Sequence, residues 1–256
     1  MTTETIPVSC FIIAKNEADR IEHAVRSVSG WVAEVIVVVD ADSSDRTDEV
    51  ARGLGAVVVK NAWPGYGPQK RFAEDCCRNK WLLNLDADEA VTPELKAEIH
   101  ELFANGEPAA DGYEIAIVDL FPGEKRPRRL AYRLAPVRLY RRDRGRYVDS
   151  PVHDRVAFPP DARIARLRGI MLHRSIRSLR DQISKLDRYS TMQAEDFVAR
   201  GRRLPLVRVY VEFPLAFLKA WIGRRLVLRG TYGFLVAMNY AMFRHMRVAK
   251  IYEKLR

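Results

Sequence analysis

Two acidic residues, separated by one residue, follow a short apolar run. Asp86 and Asp88 come directly after Trp-Leu-Leu-Asn-Leu at residues 81–85. In an extended segment, residues two apart project to the same side, so these two carboxylates can share one cation. Hard oxygen ligands select Mg²⁺ or Mn²⁺ over zinc, and such a cation commonly neutralises phosphate groups. The alternative is a solvated acidic turn before a helix, but the position at the end of a buried strand favours the metal site.

A second acidic group closes another apolar run. Asp40 ends residues 34–40 (EVIVVVD) and is followed by Asp42, two serines and Asp45. Short acidic and hydroxyl side chains at such a point can bind a base or a ribose, and they can equally cap a helix. Ligands of parallel α/β sheets bind beyond the carboxyl ends of the strands. We therefore expect Asp40 and Asp86 to face one crevice, although 46 residues separate them.

A glycine-containing loop precedes two cationic residues. Residues 65–71 read Gly-Tyr-Gly-Pro-Gln-Lys-Arg, which places Lys70 and Arg71 where a loop enters a helix. That placement suits contact with phosphate groups, and the alternative is an ordinary surface turn. The pattern GxGxxG is absent, which argues against a dinucleotide oxidoreductase, and the absence of GxxxxGK[ST] excludes a P-loop kinase.

Alternating strands and helices must position these side chains. Apolar, β-branched runs predict strands at 8–14, 34–40, 56–60, 81–86, 113–119 and 137–141. Helices are predicted at 17–29, from the caps at 43–45 to Gly53 or Gly55, at 69–78 and from Thr92. Such alternation predicts an α/β fold in which helices cover a mostly parallel sheet. After about residue 160 the pattern changes to a helix at 175–200 and amphipathic helices in the last fifty residues.

Composition narrows the class of protein. Of 256 residues, 48% are hydrophobic and 30% are charged, which excludes a disordered or fibrous chain. Three cysteines (Cys10, Cys76 and Cys77) fit neither a disulfide framework nor a zinc motif, and they indicate a reducing compartment. We expect no signal peptide, since no basic region precedes the first apolar stretch. No uncharged apolar run reaches the roughly 18 residues of a membrane span.

The net charge of +10 is unevenly distributed. Residues 1–110 carry a net charge of −8, residues 111–204 carry +10 and residues 205–256 carry +8. An acidic first part argues against a nucleic-acid-binding protein, which would need a continuous basic face. The basic remainder suits phosphate groups or an anionic lipid surface, and the alternative is a set of solvated arginines.

The C-terminal segment 205–256 combines its positive charge with nine aromatic residues. This composition predicts helices that lie in the interface of an anionic membrane, with rings at headgroup depth and Arg and Lys against the lipid. Two alternatives remain open: a helical cap that packs on the sheet, and the surface of a homo-oligomer.

The order of these motifs resembles the family 2 glycosyltransferases, and more narrowly the bacterial lipopolysaccharide-core glucosyltransferases of that family. The matching stretches of the first half are Ala14-Lys15-Asn16-Glu17, VVVDADSSDRT, GYGPQK and WLLNLDADE. Those of the second half are Pro151-Val152-His153-Asp154, Leu172-His173, Asp187-Arg188-Tyr189-Ser190 and the basic aromatic tail. The resemblance covers nearly the whole chain, and it is more specific in the first half.

The resemblance implies a GT-A fold, a nucleotide-diphosphate sugar donor such as UDP-glucose, a divalent cation and inversion at the anomeric carbon. It places five residues in the nucleotide pocket: Ala14, Asn16, Glu17, Asp40 and Asp42. It places Lys70 near the donor phosphates, Asp86 beside the ribose and the metal, and Asp88 as the principal metal ligand. Asp42 stands where the family usually has glycine, which tolerates positive φ better than Asp does. Residues 228–230 also depart, since the subgroup tends to carry an acid before this glycine.

An inverting transfer needs a carboxylate that takes the proton from the attacking hydroxyl. Asp154 matches the family's second-half acid and is the predicted catalytic base; the alternative is an ion pair with Arg146 or Arg155. His153 could bind the metal or orient the acceptor, whereas for His173 we favour a structural role. Three further arginines could meet acidic groups of the acceptor or be solvated: Arg138, Arg141 and Arg142.

We therefore predict a metal-dependent, inverting glycosyltransferase that moves a hexose from a nucleotide-diphosphate sugar to a lipid-anchored saccharide such as lipopolysaccharide core. Residues 1–160 would form the catalytic domain, with a donor half at 1–110 and an acceptor half at 111–160. Residues 161–256 would form a helical membrane-surface or acceptor extension.

We expect the protein in the cytoplasm, peripheral on the inner face of the bacterial plasma membrane. The alternatives are a polyprenyl-phosphate glycosyltransferase and a catalytically dead membrane-surface binding module. Intact acids at positions 40, 86, 88 and 154 argue against the dead module.

Overall fold

A computed structural model describes residues 5–150 and 154–256. The chain divides into two compact units. The first comprises the described residues up to Asp119 together with Arg133–His173, and the second comprises Leu120–Tyr132 and Arg174–Arg256. The first unit therefore takes up a C-terminal stretch that the sequence pattern had assigned to the helical extension.

A mixed sheet of eight strands forms the centre of the first unit, in the order β3-β2-β1-β4-β7-β6-β10-β5. Strands β1 to β4 pair in parallel, as do β6 and β10, whereas β7 is antiparallel to β4 and β6, and β5 is antiparallel to β10. Two short strands, β8 and β9, make a separate antiparallel pair. The strands are β1 Ile6–Ala14, β2 Val32–Asp40, β3 Val57–Asn61, β4 Trp81–Asn84, β5 Glu89–Val91, β6 Gly112–Asp119, β7 Val137–Arg141, β8 Arg146–Tyr147, β9 Val156–Ala157 and β10 Ile164–His173.

Alternate residues of the central strands bury against helices on opposite faces of the sheet. In β1, Cys10 and Ile12 belong to the core that includes buried side chains of α1, α2 and α4. Their neighbours Phe11 and Ile13 belong to a second core with Ala73 of α3. The helices are α1 Ile21–Val28, α2 Thr47–Gly53, α3 Tyr66–Cys76 and α4 Pro93–Phe103. Apolar β-branched runs bury both faces in this way, and the predicted α/β class with a mostly parallel sheet is confirmed.

Most predicted elements of this unit are present, with shifted ends. Helix α1 begins at Ile21 rather than at Glu17, because residues 17–20 form a turn in which Arg20 and Ile21 donate backbone hydrogen bonds to Glu17. Helix α4 begins where expected: Thr92 caps it, accepting a hydrogen bond from the Leu95 amide at 3.3 Å.

Strand β10 was not predicted. It runs beside β6 and carries His173 at its carboxyl end, opposite Asp119. The predicted boundary at residue 160 therefore falls before the last strand of the sheet, and the helical part begins after His173. The residues of β10 are mostly half-buried or exposed and include two arginines, so they lack the apolar run that identified β1, β2 and β4.

The second unit is helical, as the last part of the sequence predicts. It contains α5 Leu179–Ala199, α6 Val207–Leu218 and α7 Gly230–Lys254, with a π-helical turn and a 3-10 turn between α6 and α7. Helix α7 packs on both α5 and α6. Glu212 of α6 is buried, and it pairs with Arg208 at 2.7 Å and with Arg244 and Arg247 of α7. Within the described chain, no helix is both long enough and apolar enough to cross a bilayer.

Helix α4 and β10 approach each other closely at Gly169. A Cβ atom on this residue would lie 2.5 Å from the Leu95 Cα, whereas a Cβ on Gly53, at the end of α2, would meet nothing within 4 Å. We expect Gly169→Ala to lower the free energy of unfolding by about 1–3 kcal/mol, because strand and helix must separate. The control Gly53→Ala should be neutral or slightly stabilising. Urea titration checks both, and equal stability of the two variants would contradict the close packing of β10 on α4.

Candidate active site

Three parallel strands end side by side at the candidate site. Strand β1 lies between β2 and β4. Ala14, the last residue of β1, pairs with Val39, and Phe11 pairs with Asn84 of β4. Asp40 ends β2 and Asp86 follows β4, so both lie at the carboxyl edge where α/β proteins bind ligands. The topology thus brings Asp40 and Asp86 to the same edge, as the sequence led us to expect.

The loop after β1 is tied to the loop after β2. Asn16 adopts a left-handed backbone with φ of 55°. Its side-chain oxygen accepts a hydrogen bond from the Ser44 backbone amide at 2.8 Å, and its backbone amide donates to the Ser43 hydroxyl at 3.2 Å. The Glu17 amide donates to the Thr47 hydroxyl at 2.8 Å. Asn16 and Glu17 therefore build the wall that joins the two loops.

Asp40 is fully buried at the base of this wall. One of its oxygens accepts a hydrogen bond from the Asp42 amide at 3.0 Å, and Lys15 Nζ lies 2.5 Å from the other. Asp42 itself is exposed. Among the described residues, the only non-glycine residues with positive φ are Asn16 and Arg225. Asp42 thus occupies the usual glycine position without the left-handed backbone that would strain it.

Lys70 is the buried cation of the site. Its ammonium group lies 2.9 Å from Asp86 Oδ1 and 2.8 Å from Asp154 Oδ2, and it donates to Asn84 Oδ1 at 3.2 Å. The Tyr147 ring lies 5.0 Å from the same nitrogen. Burial alone would lower the pKa of Lys70, but the charge of Asp86 outweighs it and the pKa is raised. The ammonium therefore stays charged, and it joins Asp86 to Asp154.

Arg138 is the second buried cation, whereas the sequence had suggested contact with the acceptor or with solvent. This residue of β7 is 6% exposed, and its Nη2 lies 2.8 Å from Asp86 Oδ2 and 2.9 Å from Glu89 Oε1. It also donates to Asn84. Burial raises the pKa of Asp86, yet the charges of Arg138 and Lys70 hold it well below its usual range. Arg138 therefore does not point into solvent, because the guanidinium pairs with the carboxylates of Asp86 and Glu89.

Asp88 is largely buried beside two other groups. Arg20 Nη1 lies 3.2 Å from its Oδ2, and His173 Nε2 lies 3.4 Å from its Oδ1. On the other side of the imidazole, His173 Nδ1 lies 2.8 Å from Asp119 Oδ1. Burial raises the pKa of Asp88, but the hydrogen bond with His173 and the nearby charges lower it to about 2. Burial also lowers the pKa of His173, and the two carboxylates outweigh this and raise it.

His173 thus lies in the site, where the sequence had led us to favour a structural role. The usable signal was its position at the end of a strand, two residues after a buried Met171, but β10 itself had not been recognised. His153, the other candidate histidine, belongs to 151–153, which lie outside the described residues.

The residues around Asp88 fit a divalent cation. No group of three or more His, Cys, Asp or Glu side chains arranged around a metal position occurs in the described part of the chain. However, Mg²⁺ is commonly held by one or two carboxylates, with substrate phosphates and water completing its shell. Asp88 offers an oxygen ligand, and His173 Nε2 offers a nitrogen ligand once a metal has displaced its proton; Asp119 orients the imidazole in the manner of metal-binding histidines. Asp86, already paired with two cations, is the less available carboxylate.

Asp154 reaches the site through its contact with Lys70. Its side chain is 43% exposed, so the carboxylate is accessible from solvent. Of the two arginines weighed as alternative partners, Arg146 pairs instead with Asp75, at 2.6 Å. Residues 148–150 pack closely on α3: the Gly67 amide donates to Ser150 O at 3.1 Å, and a Cβ at Gly67 would lie 2.2 Å from Val148 O. The absence of a side chain at Gly67 therefore lets this segment approach the helix that carries Lys70.

Two relatives that align over nearly the whole chain are glycosyltransferases by name. An uncharacterized glycosyltransferase of Rickettsia prowazekii is 38% identical over 252 residues, which cover 95% of this chain and 86% of that protein. The lipopolysaccharide core biosynthesis glycosyltransferase LpsC of Rhizobium meliloti is 30% identical over 97% of this chain and 93% of its own length. These alignments include both compact units.

A solved structure shares the fold. Residues 1–349 of S. aureus TarS, crystallised with UDP-GlcNAc, match with a TM-score of 0.50 and 14% identity, over 98% of this chain and 93% of that one. At this identity the likeness supports the predicted GT-A fold and nothing finer. The model of the Glycosyl transferase family 2 matches residues 9–158. This range contains most of β1, all of β2 to β9 and the described acidic residues of the site, whereas β10 with His173 follows it. The chain belongs to glycosyl transferase family 2.

Proposed function

We propose that this protein transfers a hexose, with inversion, from a UDP-sugar to a lipid-anchored saccharide such as lipopolysaccharide core. The observation that carries the proposal is the charge network at the carboxyl edge of the sheet, where Lys70 joins Asp86 to Asp154 and Asp88 lies against His173. The name of the Rhizobium relative supports the acceptor class. The donor class is the one that the family resemblance implies, and TarS, which shares the fold, was crystallised with a UDP-sugar. The protein would work in the cytoplasm, on the inner face of the plasma membrane.

The nucleotide would bind against the loops that follow β1 and β2. Asn16 and Glu17 connect these loops through the serine and threonine hydroxyls of the second loop, and the buried Asp40 lies beneath them. Asp42 is exposed next to Asp40 and can reach a polar ligand. Ala14 ends β1 beside Val39, and its side chain is buried in the core, so it would line the pocket only through its backbone.

Asp88 and His173 would hold a divalent cation, with Asp119 fixing the imidazole. When bound, Mg²⁺ or Mn²⁺ would supply positive charge to the leaving diphosphate. Lys70 and Arg138 hold Asp86 ionised and in place, so that Asp86 can face the ribose. The protein's own part is to keep these charges fixed before substrate arrives, which removes the need to reorganise them during the reaction.

Asp154 would take the proton from the acceptor hydroxyl as that oxygen attacks the anomeric carbon. Lys70 fixes one of its oxygens, while the exposed part of the carboxylate remains open to an acceptor. The donor's sugar–phosphate bond then breaks in the same displacement, with no covalent intermediate on the protein.

The first prediction concerns Asp88. Asp88→Asn should reduce turnover by about 10²-fold or more, because it removes the carboxylate that offsets the cation's charge. In wild type, Mn²⁺ added together with UDP should raise the melting temperature more than UDP alone does, because a bound ligand stabilises the folded protein. Asp88→Asn should abolish this additional rise.

The matched control is Asp161→Asn, a carboxylate that is 72% exposed and pairs only with Arg144 in the described contacts. This variant should retain turnover and the Mn²⁺-dependent shift. Asp88 is not a ligand if its Asn variant keeps near-wild-type turnover with Mn²⁺ or Mg²⁺ present.

The second prediction separates the base from a donor-binding residue. Asp154→Asn should lower kcat by about 10²-fold or more while leaving the affinity for UDP-sugar intact, because a general base acts only in the transition state. Asp149→Asn removes a neighbouring exposed carboxylate and should leave both quantities unchanged. Weaker donor binding with an unchanged kcat, measured by calorimetry and initial rates, would place the base elsewhere.

The third prediction concerns Lys70 as a positioning residue. Lys70→Met should lower the free energy of unfolding by about 3 kcal/mol, the low end for a broken buried pair, because Asp86 keeps Arg138 and Asp154 is partly exposed. The double variant Lys70→Met/Asp154→Asn should recover part of this loss, since the two residues are coupled. Lys60→Met, at a lysine that is 55% exposed and pairs with Asp48, should cost less than about 1 kcal/mol. Strictly additive losses in a urea-denaturation cycle would rule out the coupling.

A further inference from the structure

Helix α6 presents an apolar face that no described residue covers. Large side chains project from it at helical spacing, and their exposed fractions are 61% for Val207, 80% for Tyr210, 60% for Leu215, 49% for Leu218 and 62% for Ile222 in the following turn. The opposite face is buried and carries Glu212, Ala216 and Ala220. A surface helix normally turns polar side chains outward. This one turns its charge inward, to Arg244 and Arg247, and its apolar residues outward.

Some aromatic residues of this region pack within the helical unit. Phe217, Trp221 and Phe234 contact one another with ring centroids 5.4–6.1 Å apart, although Phe234 stays 41% exposed, and Phe243 is buried. These rings hold α6 and the turn after it against α7. The exposed side chains of the α6 face are aliphatic except for Tyr210.

Basic residues flank the apolar face at both ends. Arg202 and Arg203 precede α6 and are exposed, and Lys219 and Arg225 are exposed after it. Between residues 200 and 230 the sequence contains one acidic residue, Glu212, which is buried and paired. An apolar strip bordered only by positive charge complements a surface that is apolar inside and negative outside.

A second segment of the same unit extends this surface. Arg128 donates to Leu228 O at 2.9 Å, and Arg225 donates to Leu130 O at 3.4 Å, so residues 120–132 lie beside the turn that follows α6. Leu130 is 55% exposed and Leu228 is 45% exposed. This segment is also basic, reading Lys-Arg-Pro-Arg-Arg at 125–129. Exposed leucines beside basic residues thus extend the surface beyond α6.

We propose that the α6 face, defined by Val207, Tyr210, Leu215, Leu218 and Ile222, docks on the surface of an anionic lipid bilayer. Its side chains enter the boundary between headgroups and acyl chains, and the flanking arginines and lysine meet lipid phosphates. The attraction requires negative lipid and fades within a Debye length. This docking rests on the proposed function, since it would hold the enzyme at the membrane that contains a lipid-anchored acceptor. The docking itself requires neither bound donor nor bound acceptor.

A second copy of the chain is the less suitable occupant. In a two-fold dimer the same patch faces itself, so apolar side chains would meet but each flanking cation would also face a cation of the other copy. The buried acid of the region, Glu212, is already paired inside the unit and cannot offset that repulsion.

Co-sedimentation of the full-length protein with vesicles tests the proposal. One set of vesicles is pure phosphatidylcholine and the other contains about one third phosphatidylglycerol, a negative surface of the kind that attracts basic segments. The variant Leu218→Glu/Ile222→Glu places two charges on the α6 face. Its matched control, Ile183→Glu/Met192→Glu, makes the same change of net charge at two exposed apolar residues of α5.

We expect wild type and control to sediment with phosphatidylglycerol vesicles and only weakly with phosphatidylcholine, and binding should fall as salt is added. The α6 variant should bind at least about tenfold more weakly, because two apolar side chains no longer enter the lipid. Melting-temperature shifts with UDP and Mn²⁺, measured without vesicles, should be unchanged in it, which separates this proposal from that of the catalytic site.

Three outcomes would overturn the docking surface. The first is equal vesicle binding by the α6 variant and its control. The second is vesicle binding that does not depend on phosphatidylglycerol. The third is a wild-type dimer in light scattering that the α6 variant dissociates while neither protein binds vesicles, which would assign the face to a second copy.

Discussion

The buried ammonium of Lys70 is the constraint around which the rest of the site is arranged. An ammonium removed from water is costly unless carboxylates and hydrogen-bond acceptors surround it. Asn84 and Asp86, at the end of β4, and Asp154, from a distant part of the chain, provide these groups. Strand β4 must therefore end beside α3, and residues 148–150 must approach α3 closely, which Gly67 allows. The contact links the end of the central sheet to the segment that would meet the acceptor.

The other buried charges follow from this arrangement. Asp86 and Glu89 lie close together after β4, and of the two Lys70 pairs with Asp86. Arg138 from β7 supplies a second cation, which pairs with both carboxylates. Arg20 and His173 perform the corresponding role for Asp88. The difference between the two acids is the kind of partner. Asp86 is held by two permanent cations, whereas Asp88 lies against Arg20 and an imidazole that can itself ligate a metal once deprotonated, and we therefore propose that Asp88 holds the cation.

The sequence was sufficient for the parts of the fold that bury apolar residues continuously. Strands β1 to β4 follow from β-branched runs, and the start of α4 follows from its Thr92 cap. The order of strands explains why Asp40 and Asp86 meet at one edge. It was insufficient for β5, which has three residues, and for β10, whose side chains are partly exposed. Because β10 was not predicted, the contact of His173 with Asp88 was not foreseen, and the role of Arg138 was not foreseen because its partners are 49 and 52 residues away in sequence. In the C-terminal unit the helices were predictable, but which aromatic rings pack inside depends on how α6 and α7 pair.

The most direct test of the account is to locate the cation by anomalous scattering in crystals grown with UDP and Mn²⁺. The account predicts one manganese peak in contact with Asp88 and His173, next to the diphosphate, with Asp86 still paired to Lys70 and Arg138. A manganese ion held by Asp86 after displacement of Lys70, or UDP bound away from the carboxyl ends of β1, β2 and β4, would contradict it.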